Sequence, residues 1–148
     1  MQMALRLARQ AFDEDEVPVG ALVVRGDRVL GSSGNQVERL ADATAHAEML
    51  ALSQAFAAAG AKRLDGAELI CTLEPCLQCA GALLHARVAR VVYGAADPKF
   101  GAVESLLRAF ELPGLNHRVL ARGGVCAVES AELLRRFFRL RRGDPREA

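Results

Sequence analysis

Pro75-Cys76-Leu77-Gln78-Cys79, taken with His46-Ala47-Glu48, is the stretch around which the rest of the chain is arranged. Two thiols three residues apart lie on one face of a helix, so a cation near that helix's first turn can touch both. An imidazole from His46 completes a Cys₂His set. It leaves the fourth tetrahedral position for water, which is the open pattern of catalytic zinc rather than the closed pattern of structural zinc. Glu48 adds a carboxylate that can take a proton from that water and deliver it to a substrate nitrogen, and a site built only for stability has no use for one. Pro75 predicts the start of a helix reaching about Ala86, whose N-terminal amides and dipole favour thiolate over thiol at Cys76 and Cys79. Just before it, Ala67 to Leu73 is a nearly continuous apolar run between Gly66 and Pro75, the pattern of a strand buried on both faces.

Outward from that core, the order of elements predicts the fold class. Met3, Leu5, Leu7, Ala8, Ala11 and Phe12 are the apolar positions of an opening helix, and the acidic run Asp13 to Glu16 reads as a wet turn ending it. Val17 to Val24 and Arg28 to Gly31 flank Gly26-Asp27 as a hairpin, with Ser32 to Asn35 breaking the second strand. Thr44 is a candidate cap for a helix running through His46, Glu48, Met49, Leu52 and Phe56 to Gly60. Residues two apart do not share a helix face, so His46 and Glu48 converge most easily if they sit at its beginning. Downstream, Arg90 to Gly94 reads as a strand, Ala95 to Gly101 as a loop, Val103 to Phe110 as a short helix and Arg118 to Ala121 as a last strand. Glu129 to Leu140 closes as a helix with Leu133, Leu134, Phe137 and Phe138 as its apolar positions. Such alternation calls for an α/β architecture, a central sheet between helices.

The 148 residues, 51% apolar, suit a single domain over 1–148. No apolar run approaches the ~20 residues that span a bilayer, and the first residues lack signal-peptide order, so no membrane association and a cytoplasmic location are expected. A domain of this size needs no disulfide staples. Cys76 and Cys79 are therefore read as ligands, and Cys71 and Cys126 as small buried hydrophobes. A net charge of +1 argues against a coat of positive potential. Arg135, Arg136, Arg139, Arg141 and Arg142 nonetheless cluster near the end, either as a solvated helix terminus or as phosphate contacts.

A lone Cys-x-x-Cys also serves redox motifs and structural zinc. The redox motif requires no His-x-Glu, and a closed zinc site requires a fourth protein ligand. Cys71 lies in a strand without ligand rhythm, and His85 sits two helical turns beyond Cys79 at about 1.5 Å per residue. His117, in a loop, stays open as a fourth ligand by spacing.

His-x-Glu followed by Pro-Cys-x-x-Cys is the signature of zinc nucleobase deaminases, and the chain resembles the cytidine deaminase superfamily, more narrowly its bacterial tRNA-specific adenosine deaminases. The resemblance runs in order through Glu16-Val17-Pro18-Val19-Gly20-Ala21, Asn35, Thr44-Ala45-His46-Ala47-Glu48 and Thr72-Leu73-Glu74-Pro75-Cys76. It continues through Cys79-Ala80-Gly81-Ala82, Val92-Tyr93-Gly94-Ala95, Asp97, Lys99, Gly101-Ala102, Asn116-His117-Arg118 and Phe137-Phe138. It implies a three-layer α/β/α fold with a five-stranded mixed sheet, and conversion of wobble adenosine to inosine in a tRNA anticodon stem-loop. It also implies one Zn²⁺ per subunit on His46, Cys76 and Cys79, Glu48 as proton shuttle, no organic cofactor, and a homodimer with RNA crossing the subunit boundary.

For the substrate, the resemblance implies contacts from Asn35 to the flipped nucleoside, from Asp97 and Lys99 to ribose and phosphate, and from Phe137, Phe138, Arg141 and Arg142 on the last helix. A carboxylate can accept from a 2′-hydroxyl, and an aromatic ring can stack on a base. By residue type alone Asn35 is also an ordinary turn asparagine and the two phenylalanines are also core. Two departures stand out. Glu104 replaces a glycine usual in the family's Gly-Ala-x-Gly-Ser segment, and Phe100 is bulky within Asp-x-Lys-x-Gly-Ala. The competing readings are a deaminase of a free base or nucleoside such as guanine or cytosine, and a zinc-stabilised RNA-binding module without turnover.

Overall fold

The computed structural model describes residues 1–143, so the acidic end of the tail, Asp144 and Glu147, lies outside the described residues. In chain order the elements are α1 (Gln2–Asp13), β1 (Gly20–Arg25), β2 (Arg28–Gly34), the short α2 (Val37–Leu40) and α3 (Ala47–Ala59). There follow β3 (Glu68–Leu73), α4 (Leu77–Ala86), β4 (Arg90–Ala95), a 3₁₀ turn (Ala109–Glu111), β5 (Leu120–Arg122) and α5 (Ala127–Arg141).

The five strands form one mixed sheet in the order β2-β1-β3-β4-β5. The hairpin β1–β2 is antiparallel, β1 meets β3 antiparallel, and β3, β4 and β5 run parallel. A parallel pair needs a crossover, and α4 supplies the one between β3 and β4. Helices cover both faces. A Cβ on Gly20 would come within 2.1 Å of the Ala4 carbonyl oxygen of α1, and one on Gly31 within 2.2 Å of the Ala51 carbonyl oxygen of α3. Side chains alternate along the sheet and Gly31 pairs with Val23, three residues from Gly20, so the two glycines admit helices on opposite faces. Ring contact between Phe12 and Phe137 places α5 beside α1, and α4 lies with α3 on the other face. One apolar core runs between the layers, from Val23, Leu52 and Leu64 to Leu69, Leu83, Val91 and Phe110.

Several local expectations shift. Strand β2 does not break at Ser32; it stays paired to Gly34, because small residues let α1 lie close on it. Thr44 does not cap α3. Its amide and hydroxyl both go to Asp42 Oδ1, and His46 is the N-cap. Gly60 ends α3 in the left-handed region at φ +60°, as expected of a C-terminal glycine. Pro75 stands one residue outside α4, which is capped by Cys76. No α-helix forms over 103–110, only the start of the 3₁₀ turn at Ala109. The amides of Val103, Glu104 and Ser105 go to the Glu74 carboxylate, and those of Leu106 and Leu107 return to the Gly101 carbonyl. Strand β3 is buried at alternate and central positions rather than throughout.

Candidate active site

Two helix N-termini meet beyond the C-terminal end of the central strand β3. His46 is the N-cap of α3, Cys76 the N-cap of α4, and Cys79 lies in the first turn of α4. The Gln78 amide donates to the Thr44 carbonyl at 3.1 Å and ties the two starts together. His46 Nδ1 stands 3.5 Å from each of Cys76 Sγ and Cys79 Sγ, and the sulfurs are 3.8 Å apart. A tetrahedral zinc with bonds of about 2.3 Å to sulfur and about 2.05 Å to nitrogen requires separations of about 3.8 Å and about 3.5 Å. The donor set therefore fits that ion, and no fourth His, Cys, Asp or Glu among the described residues joins the group. His117 is occupied elsewhere: its Nε2–H donates to the Val88 carbonyl at 2.7 Å.

The electrostatics of this corner are divided between the two thiols. Cys76 is held down to about 4, first by a hydrogen bond from the Cys79 thiol and then by His46. Cys79 is pushed well above the ordinary thiol value by the same pairing with Cys76 and by burial. Without a cation the pair shares one proton; a bound divalent ion removes that split, since coordinating thiols are deprotonated outright. His46 is raised, chiefly through its bond with Cys76. Glu48, in the first turn of α3, is buried, and burial raises its carboxyl above the usual range although His46 and the Cys79 thiol pull the other way. A carboxyl shifted in this direction holds a proton nearer neutral pH than a free one.

A second carboxylate, which sits beside Pro75 in the Glu74-Pro75-Cys76 stretch, organises the rim. Glu74 is buried and accepts from the amides of Asp97 (3.0 Å), Val103 (3.1 Å), Glu104 (2.7 Å) and Ser105 (2.9 Å) and from the Ser105 hydroxyl. Burial alone would raise its carboxyl, but these donors outweigh it and hold it below the ordinary range. The loop they gather lies directly on the thiol-bearing turn, where Cys76 bridges Gly101 and the Ala102 amide donates to the Pro75 carbonyl at 2.9 Å. A Cβ on Gly101 would come within 2.4 Å of the Glu74 carboxyl, so only glycine fits there. Asp97 Oδ1 accepts from the amides of Lys99 and Phe100, which commits one of its oxygens to shaping the loop. Lys99 is exposed and stands 5.2 Å from the Phe100 ring centroid. Glu104 accepts a hydrogen bond from the buried Tyr93 hydroxyl.

Asn35 is also held by a hidden acid. Glu16, expected in a wet turn, is fully buried and accepts from Asn35 Nδ2 (3.2 Å) and from the amides of Glu38 (3.2 Å) and Arg39 (2.7 Å). Its burial follows from those three donors, which replace water around the charge. Asn35 is thus no free turn residue: its neighbour Gln36 donates to the carbonyl of Ala45, next to His46. On α5 the expected residues separate. Phe137 is buried and meets Phe12 edge-on at 5.6 Å, whereas Phe138 is 43% exposed. Arg141 lies over the Phe137 ring at 5.0 Å and donates to the Asp15 carbonyl, and Arg142 is the exposed C-cap. Cys71 is buried in β3, while Cys126 is half-buried at the N-cap of α5.

Many known proteins are similar to this chain. The MafB19-like deaminase family model matches residues 1–142. A tRNA-specific adenosine deaminase of Agrobacterium fabrum is 49% identical, covering 97% of this chain and 95% of that one, and one of Aquifex aeolicus is 43% identical over 94% and 91%. The chain belongs to the tRNA-specific adenosine deaminase family. A solved structure from work on A-to-I editing at the wobble position of transfer RNA superposes with a TM-score of 0.87 at 48% identity, covering 90% of this chain and 97% of that one. A guanine deaminase from Nitrosomonas europaea shares the fold more distantly, at a TM-score of 0.78 and 27% identity over 92% and 81%. The family's five-stranded mixed sheet between helices is the sheet described above.

Proposed function

We propose that this family member catalyses the hydrolytic deamination of adenosine to inosine at the wobble position of a tRNA anticodon, as one deaminase domain spanning the chain. The observation that carries the reading is the 49% identity to a tRNA-specific enzyme across nearly the whole of both chains. The guanine deaminase of the same fold stands at 27%. His46, Cys76 and Cys79 are proposed to hold one zinc ion, which when bound supplies a Lewis acid that activates water at neutral pH.

The remaining work falls to side chains. Glu48, with its raised carboxyl, takes one proton from water and delivers it to a ring nitrogen, then takes the second proton from the hydroxyl added to the ring carbon and gives it to the leaving amine. Ammonia departs and the ring keeps an oxygen from water, so atoms and protons balance. Asn35, anchored by Glu16, is assigned to the flipped nucleoside. Asp97 keeps one carboxylate oxygen for a ribose hydroxyl, and Lys99 meets phosphate. Phe138, Arg141 and Arg142 extend the contact surface along the end of α5, with Phe137 buried behind them. A homodimer is part of the proposal, supported by the exposed Leu77, Leu106 and Leu107 beside the thiol turn and its loop. No helix among the described residues is long and apolar enough to cross a membrane, which is compatible with the cytoplasm where tRNA is processed.

Zinc-loaded protein incubated with a tRNA bearing a wobble adenosine is expected to yield inosine and ammonia. Faster ammonia release from free guanine, cytosine, adenosine or cytidine would transfer the reading to small substrates. Tight tRNA binding that survives Glu48→Gln, with no inosine from either protein, would leave an RNA-binding module.

A further inference from the structure

The loop from Asp97 to Arg108 touches the metal-binding turn at one end and carries Asp97, Lys99 and Phe100 outward, and the Glu74 carboxylate fixes its backbone. A second anchor holds the same loop from its outer side. Tyr93, in the middle of β4 and 2% exposed, donates its hydroxyl to the carboxylate of Glu104. The ring itself has little freedom. A Cβ on Gly123 would sit 2.4 Å from its Cζ, so the segment leading into α5 lies flat against the phenol. The Val125 amide donates to the Tyr93 carbonyl at 3.2 Å, and the Gly124 amide to that of Gly94 at 3.1 Å. Tyr93 therefore stands between two segments: the loop with Asp97 and Lys99, and the connection that launches α5 with Phe138, Arg141 and Arg142. Glu104 is held twice, through its amide on Glu74 Oε1 (2.7 Å) and through its carboxylate on Tyr93.

We propose that the Tyr93–Glu104 hydrogen bond is a strut that sets the loop against α5, making Glu104 and Tyr93 positioning residues for the RNA-binding surface. The role rests on the tRNA reading given above. The Glu104 carboxylate keeps its charge, but the bond to Tyr93 fixes where that charge lies on the loop. A glycine at this position would lose the strut and add backbone freedom where the loop most needs to be fixed. Binding energy for the anticodon stem-loop then has to order the loop as well as contact it, and the cost shows in apparent affinity.

The test compares zinc-loaded wild type with Glu104→Gly, Glu104→Gln, Tyr93→Phe and the double variant Tyr93→Phe/Glu104→Gly. The readouts are KM and kcat on an anticodon stem-loop, zinc content, and amide hydrogen exchange over 97–108. Tyr93→Phe is expected to raise KM about fivefold, the worth of one hydrogen bond, and Glu104→Gly at least as much because it also frees the backbone, with kcat within about twofold in both. The double variant is expected to match Glu104→Gly instead of multiplying the two single penalties. Glu104→Gln keeps an acceptor for the phenol and should hold KM near wild type. Exchange over 97–108 should quicken in the three variants that lose the bond, at unchanged zinc content. Penalties that multiply in the double variant, or exchange that does not change, would overturn the strut. The exchange arm needs no substrate, so it decides the strut even if wild type makes no inosine, a result that would count against the tRNA reading instead.

Discussion

The corner built on His46, Cys76 and Cys79 and the outer end of α5 carry residues proposed for the same reaction, yet they are held in opposite ways. At the corner, two helix N-termini, a bridging Gln78 and the five donors on Glu74 leave each ligand little choice of position. At the end of α5, Phe138, Arg141 and Arg142 stand on an exposed last turn, and Arg141 is engaged with Phe137 and the Asp15 carbonyl. Chemistry that needs atoms placed within fractions of an ångström is built on capped backbone. Recognition that needs only charge and a flat ring is left on a solvent-facing helix, where side chains can adjust to RNA.

The largest effects are expected where the holding is tightest. Cys76→Ala should remove one of three ligands and with it both bound zinc and all turnover, read by metal analysis of the purified protein beside an inosine assay. Zinc retained at full stoichiometry would mean the ion sits elsewhere. Glu48→Gln is the sharper instrument, because it preserves the shape of a buried side chain while removing its titratable proton. Turnover should fall by about a thousandfold, or about 4 kcal/mol of transition-state stabilisation, with zinc content and melting temperature unchanged. Next in size is Glu74→Ala, which strips the shared acceptor from four amides. A loss of about 3 kcal/mol in denaturant unfolding is expected, with hydrogen exchange accelerating over 97–105 before any other segment.

How much of this was legible in the sequence follows the same division. The His-x-Glu and Pro-Cys-x-x-Cys spacing was readable because a metal imposes a fixed geometry on few residues, and β3 and α4 were readable because their apolar patterns are uninterrupted. Glu16 and Glu74 were not. Both are acids beside prolines or in charged runs, where composition predicts solvent, and both are buried because backbone amides distant in sequence converge on them. No local pattern announces donors that arrive 22 to 31 residues later. The missing α-helix over 103–110 is likewise set by non-local contacts, since the segment is wrapped on Glu74 and the Leu106 and Leu107 amides both return to the Gly101 carbonyl instead of starting a regular ladder. The twin phenylalanines exposed a further limit. Adjacent residues on a helix point about 100° apart, so one periodic pattern could not decide which of them was core.

That pair supplies the smallest and most discriminating comparison. Phe137 is 4% exposed and packed edge-on against Phe12, so Phe137→Ala opens a cavity between α1 and α5 and should cost about 3 kcal/mol of folding stability. Phe138 is 43% exposed, and its ring already meets Phe137 edge-on at 5.4 Å, so Phe138→Ala forfeits only part of one contact and should cost less than about 1 kcal/mol. The two substitutions should exchange rank when the readout is RNA. At a temperature where both variants are folded, Phe138→Ala should weaken binding of an anticodon stem-loop by about 1 kcal/mol, the lower range for one base stacked on an aromatic ring. Phe137→Ala should leave the affinity close to wild type. If both variants bind equally well, the end of α5 is packing and charge alone, and the recognition assigned to it belongs to the loop of Asp97 and Lys99.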